Sequence, residues 1–377
     1  VDVGPPSLEN MGVNVTQGTA NKMARIHKIQ KIQLSLFVLA SALVFAGCAS
    51  SFLKYEKAES LKDISEFDNQ VKIETNELPE EVAGAEVSAP APSPTPQIPA
   101  PLVKNTKKKA AKESKAVSPV ASATKHEPEL EGQDAFLLRR PLKDPFREGE
   151  KVIHEVSYFS STAGVLTMSV KPFAQVNGRK SYHFHTAIKS ASVFDLFYSV
   201  DDYVSAMMDF ETLIPSVFTL HVKESGQLRE ARFLFDWQKK TANYWEKKVT
   251  KKKGPEEKKQ NWEVPEYSQN VFSSIYYLRV FNWEVGKNNS FRVADGGENL
   301  IFRGTAVKRE QLSTDAGDFW AIKIKPEIQL KNAFKPVGDI YIWLSDDDRK
   351  YILRIEAKIK IGTLVSEVIQ IEPGKAE

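Results

Sequence analysis

Between residues 351 and 361 the side chains alternate without interruption. Tyr351, Leu353, Ile355, Ala357, Ile359 and Ile361 fall on one side, and Ile352, Arg354, Glu356, Lys358 and Lys360 on the other. A period of two is the repeat of a β-strand, and a strand with one wet face must lay its other face on a core. The pattern returns at Ile322 and Ile324 against Lys323 and Lys325. It returns again at Phe233, Phe235 and Trp237 against Arg232, Leu234 and Asp236. Turn signals at Asn177-Gly178, Ser225-Gly226, Asp295-Gly296-Gly297, Ala316-Gly317-Asp318 and Asp346-Asp347-Asp348 punctuate these runs. About eleven to thirteen strands are expected between 148 and 372. One segment departs from the rule. Tyr267–Trp283 places Val271, Ile275, Leu278 and Asn282 at helical spacing between Pro265 and Val285-Gly286, which predicts one amphipathic helix. Residues 146–377 are therefore expected to fold as an all-β domain, a curved antiparallel sheet or half-open β-barrel with a single amphipathic helix. The Lys-rich stretch Lys247–Lys259 falls between two strands and is expected at a solvated hairpin tip.

The N-terminal part is of another kind. From Met23, Arg25, Lys28 and Lys31 lead into the apolar run Leu34–Phe45, which only Ser35 and Ser41 interrupt. Twelve helical residues span about 18 Å, too short for a hydrocarbon core of about 30 Å, so residues 23–47 read as a signal peptide. Residues 1–22 lack signal character and are expected to be an over-extended gene start. Phe45-Ala46-Gly47-Cys48 resembles the lipobox of bacterial lipoproteins, and Cys48 is the single cysteine of 377 residues. The resemblance implies lipid attachment at Cys48, a membrane anchor, and a location in the cell envelope. Ala49 in place of Asp implies outer-membrane sorting, facing the periplasm.

Residues 48–145 read as a disordered Ala/Pro/Lys-rich tether. Residues 87–101 alternate Pro with small side chains, and residues 104–116 carry six Lys and one Glu. Such a composition buries too little apolar surface to offset its ordering entropy. As a coil it would span about 55 Å.

Composition narrows the chemistry. One cysteine excludes a disulfide framework within the chain and any multi-cysteine zinc site. The formal charge of +3 falls to about +1 once residues 1–47 are removed, which gives no electrostatic case for nucleic-acid binding. The sequence holds no G-x-S-x-G elbow, no phosphate-binding glycine loop and no H-E-x-x-H pair. No cofactor is implied. His183 and His185 lie at i and i+2, so both leave one face of a strand, opposite Tyr182, Phe184 and Ile188. With His154 or His221 they would make three metal ligands, but the pair alone is weak and no metal is expected. Asp202 shares its side of a strand with Tyr198, Val200, Val204, Ala206, Met208 and Phe210. An acid in an apolar stripe is either paired, for instance with an inward Arg232 or Arg303, or raised in pKa. Trp343 leads a buried strand into the acidic turn Asp346-Asp347-Asp348, which lacks the spacing of a calcium loop.

Gly149-Glu150-Lys151, Ala163-Gly164, Leu213-Ile214-Pro215, the helix Ser268 to Arg279, Gly317-Asp318-Phe319 and Ile342 to Asp347 resemble the bacterial exported family labelled domain of unknown function 3108. That resemblance implies an exported protein, often lipid-anchored, with no assigned reaction and no catalytic residues to carry over. The expected function is therefore non-enzymatic binding of an amphiphilic or glycan envelope component in a concave apolar interior, with Asp202, His183, His185 and Trp343 as candidate contacts. The alternative is an assembly factor that holds an envelope protein by a sheet edge or the Lys-rich tip. Hydrolysis by Asp202 with His183 or His185 is a third reading.

Overall fold

The computed structural model describes residues 61–76, 140–330, 333–336, 338–359 and 362–376. The gene start, the signal peptide, Cys48 and the tether outside 61–76 and 140–145 lie outside the described residues. By its contacts the chain divides into residues 1–76 with 128–377, and residues 77–127 as a second unit. Every described strand belongs to the first unit.

Among the described residues sixteen strands form one antiparallel sheet. They are β1 Ile73–Thr75, β2 Glu150–Tyr158, β3 Ser161–Val176, β4 Arg179–Ser190, β5 Asp201–Asp209, β6 Pro215–Glu224, β7 Gln227–Asp236 and β8 Thr241–Thr250. The rest are β9 Gly254–Glu263, β10 Asn288–Asp295, β11 Glu298–Thr314, β12 Gly317–Leu330, β13 Ala333–Pro336, β14 Asp339–Ser345, β15 Ile352–Ile359 and β16 Gly362–Pro373. Short helices stand at α1 Ser65–Asp68, α2 Ser192–Asp195 and α3 Val271–Tyr277. Hydrogen bonding runs β10-β11-β12-β14-β15-β16 and then β2 through β9, with β1 on β3 and β13 on β12. Two meanders are thus joined where β16 meets β2. Tight turns make this order easy to reach: Phe159-Ser160 and Asn177-Gly178 hold positive φ at both central positions, as two-residue hairpins require.

The inner face is apolar. Val152, Val156, Leu166, Phe184, Met208, Ile322, Ile324 and Leu344 build the main core, which continues through Val204, Phe218, Ala231, Phe233 and Tyr244. The alternation at 351–361 is not one uninterrupted strand. Leu344 pairs with Ile352 and Trp343 with Arg354, so Leu353 is an extra, buried residue. This bulge flips the parity and sends Ile352 inward with Ile355 and Ala357.

The helix is shorter than its pattern predicts, and it is buried rather than amphipathic. α3 tightens to a 3₁₀ turn at Leu278–Val280. Asn270 starts it with a capping box: its side chain accepts from Phe272 N and Ser273 N, and Ser273 Oγ accepts from Asn270 N. Trp283 ends it by donating its indole N–H to the Leu278 carbonyl at 2.9 Å. Only Ile275 of α3 is less than fully buried, because the helix sits among inner-face side chains. Gly304 makes room for Trp283: a Cβ there would meet the indole at 2.6 Å.

One end of the sheet is latched by charge. Arg279 donates to both Glu150 carboxylate oxygens at 2.6 and 3.1 Å, and Arg349 to Oε2 at 2.6 Å. The two guanidiniums also bond the carbonyls of Pro145, Arg349 and Pro373. The helix end, the start of β2, the acidic turn and the end of β16 are thereby tied together.

The outer face carries a strap. α1 and β1 lie in the segment expected to be disordered tether, and that expectation fails for residues 61–76. The reason is apolar: Ile64, Phe67 and Val71 are buried against Ala174, Val176, Met207, Val217, Leu234 and Trp245. Phe67 meets the Trp245 ring edge-on at 6.0 Å, and Asn177 Oδ1 accepts from Lys72 N at 2.8 Å. Residues 140–145 also belong to the folded unit, with Asp144 accepting from Arg140 and from the Tyr182 hydroxyl at 2.8 Å.

Candidate functional site

β10 and β9 end the hydrogen-bonded row, and the interior beside β10 contains an apolar site. Below α3 lies a cavity of about 70 Å³. Val271, Ile275 and Leu278 of the helix roof it, and Val293, Leu300, Phe302, Ile328, Ile340 and Ile342 of β10, β11, β12 and β14 form its floor. Among the described residues, Ser274 and Asp295 are its only polar lining. Asp295 is half-buried, and burial pushes its carboxyl up to about 6 although Arg229 and Lys258 pull it down.

Those two cations belong to a charged group on the inner face of β7, β8 and β9. Arg229 donates to the Tyr244 hydroxyl at 2.7 Å and forms an ion pair with Glu246 Oε2 at 2.7 Å, and Tyr244 donates to the same carboxylate. Burial works to raise Glu246, but Arg229 and Tyr244 outweigh it and hold the carboxyl below its ordinary value. Burial, then Arg229, lowers the neighbouring Lys248. Lys258 Nζ stands 5.4 Å from the Tyr244 ring centroid. The apolar cavity thus has one acid in its lining, and the Arg229 and Lys258 charges act on that acid. Such an arrangement can position a polar or anionic headgroup whose apolar part lies under the helix.

Asp202 occupies a second internal cluster. It is 6% exposed, its Oδ1 accepts from Lys223 N at 2.8 Å, and its carboxyl is pushed up to about 8 by burial and then by Glu224. Glu224 accepts from the Tyr198 hydroxyl at 2.6 Å and from Gln227 Nε2 at 2.7 Å. The partner is an acid, not the inward arginine expected: Arg232 pairs with Glu230 on the outer face, and Arg303 with Glu327. Burial and the neighbouring Glu224 charge both penalise the ionised form of Asp202, so its carboxyl keeps its proton well above the ordinary carboxylate range.

The remaining candidates lie elsewhere. His183 is buried on the outer face and its imidazole is lowered to about 4 by burial and then Lys171. His185 bonds Ser205 Oγ at 3.0 Å and stacks on Tyr203, which stacks in turn on His221. His154 points to the inner face, fully buried beside Ser366, so it cannot join the pair, and Tyr203 separates His185 from His221. Trp343 also faces outward. Its indole donates to Glu310 at 3.0 Å, and Lys323 and Arg354 lie over its ring. The acidic turn is organised by Asp347 Oδ1, which accepts from Ser345 Oγ, Arg349 N and Lys350 N. Asp202, the histidine pair and Trp343 are therefore not brought together. Sequence reasoning missed Arg229, Tyr244, Glu246, Lys258 and Asp295. The parity of Arg229 with Ala231, Phe233 and Phe235 was the available signal.

An antiparallel β-barrel-like domain with a buried helix defines the class of this protein. The chain belongs to the family described as protein of unknown function (DUF3108), whose model matches residues 154–369. No curated protein matches the sequence. Among solved structures, it is similar to a beta-barrel-like protein of a domain of unknown function (DUF1849) from Brucella abortus, at 9% identity and a TM-score of 0.38, covering 60% of this chain and 98% of that one. It is also similar to a protein with a YmcC-like fold from Bacteroides fragilis, at 10% identity and a TM-score of 0.28, covering 61% and 98%. Likeness of this degree carries no functional meaning.

Proposed function

We propose that the protein is a non-enzymatic lipoprotein, anchored through Cys48 in the outer membrane and facing the periplasm, that binds an amphiphilic envelope molecule inside its barrel. The observation that carries this reading is the apolar cavity under α3, with Asp295 in its lining and the charges of Arg229 and Lys258 acting on that carboxyl. A site of about 70 Å³ is about half of one that holds benzene, so it seats the end of a chain. The assembly-factor alternative has less support. β9 is an open edge, but Glu256, Glu257, Lys258 and Lys259 follow one another along it, and a charged edge resists strand addition.

The test is mass spectrometry of an organic extract from the full chain carrying Cys48→Ser, purified from a periplasm. A stoichiometric amphiphile is expected, and it should be lost in Ile342→Trp, which fills the cavity. A wild-type extract without any such molecule refutes the reading. Urea unfolding of the variant separates lost binding from lost folding.

A further inference from the structure

We infer that one end of the barrel is a docking surface for an anionic phospholipid bilayer. Opposite the Arg279–Glu150 latch, four connections lie in a row. The β2–β3 turn adjoins the 191–200 loop through Ala191 N to Ala163 O at 2.9 Å, and that loop adjoins the β6–β7 turn through Ser225 N to Ser199 O at 3.0 Å. The β6–β7 turn meets the β8–β9 turn at Lys251. This end bears large apolar side chains in water: Val193, Leu196 and Phe197 are 65%, 76% and 72% exposed, and Phe159 is 68% exposed. The first three lie on and just after the short helix α2.

Their exposure is not that of a loose loop. Val200 N is held by Ser190 Oγ at 2.8 Å, Ser199 N by Ser225 Oγ at 2.8 Å, and the Tyr198 hydroxyl by Glu224. The loop is fixed with its apolar side chains outward. At the end of the same row the β8–β9 tip is Lys251-Lys252-Lys253, all exposed. Apolar wedges beside a cationic tip match an interface in which acyl chains lie beneath anionic headgroups.

Chain length selects the membrane over other occupants. The strap begins beside this end: Asp63 O accepts from Lys247 Nζ at 2.6 Å, and Lys247 is four residues from Lys251, about 13 Å along the strand. Only residues 49–60 separate the strap from Cys48. They reach about 20 Å as a coil and at most about 45 Å extended. An anchor on that leash keeps this end near the bilayer. The inference rests on the Cys48 anchor proposed as part of the function but not on the cavity ligand.

The test is flotation of the full chain with Cys48→Ser, which removes the acyl attachment while the substitutions below isolate the surface, on phosphatidylcholine vesicles with and without phosphatidylglycerol, at low and high salt. Binding is expected to the anionic vesicles only and to weaken with salt. Lys251→Ser/Lys252→Ser/Lys253→Ser should weaken it up to about 100-fold. Leu196→Ser/Phe197→Ser should weaken it by about the same factor. Ile342→Trp should float as wild type, so a failure here is distinguishable from a failure of the ligand reading. Wild-type chain that does not float, or variants that float equally well, overturn the inference. A concentration-dependent dimer abolished by Leu196→Ser/Phe197→Ser overturns it in favour of a second copy as the occupant.

Discussion

Asp202→Asn should stabilise the protein in alkaline solution and do little in acid. In the fold this carboxyl is pushed up to about 8 from an ordinary 3.8, by burial first and then by Glu224. Between those values the unfolded chain has released its proton while the folded chain retains it. Stability therefore falls as pH rises through the window. Each pH unit removes about 1.4 kcal/mol, so from pH 5 to pH 8 the Asp202 contribution falls by about 4 kcal/mol. Asparagine cannot titrate. Its oxygen still accepts from Lys223 N, and its amide places no negative charge beside Glu224. Urea unfolding of both proteins at pH 5 and pH 8 reads the difference. The variant's advantage should grow between the two by a few kcal/mol. An equal difference at both pH values, or a less stable variant at pH 8, would refute the reasoning.

Two further outcomes are expected. His154 is fully buried and its imidazole is lowered to about 4 from 6.5 chiefly by desolvation, so stability should fall as pH drops from 6.5 toward 4, by up to about 3 kcal/mol. His154→Gln should flatten that acid limb in urea midpoints measured across the range, and an unchanged slope would contradict it. Arg279→Met removes the buried partner of Glu150 and leaves only Arg349, so it should cost about 3–5 kcal/mol in urea unfolding, and a loss below about 1 kcal/mol would show that Arg349 alone satisfies the carboxylate.

The sheet was legible because its signal is local. Phe233, Phe235 and Trp237 declare their face by parity, and the hairpins declare themselves by Asn177-Gly178 and its like. The bulge at Leu353 was not legible, since a single extra residue leaves the alternation intact on paper while reversing it in space. The helix was found but misjudged. Its apolar spacing is that of an amphipathic helix, yet Ser273, Ser274 and Asn270 are buried too, because they cap and bond one another. The strap escaped because Phe67 and Trp245 lie 178 residues apart, and only their meeting makes 61–76 apolar enough to order. The candidate site escaped for a related reason. Asp295, Arg229 and Glu246 each read as ordinary surface charges, and it is curvature of the sheet that turns them toward one interior.

The row of strands does not close on itself through a ladder. Between β9 and β10 the wall is completed by the chain leading into α3: Gln269 N donates to Arg292 O, Ala294 N to Gln269 O, and Asn299 Nδ2 to Glu263 O. β10 and β11, by contrast, share a continuous register of eight partners. At about 1 kcal/mol net for each hydrogen bond, the clasp is weak beside such a ladder. It also lies against the N-terminal end of the helix that roofs the cavity. Widening the barrel there would unfasten the roof and the wall in one movement, while the latch at Glu150 holds the other end shut, so the molecule is hinged like a purse.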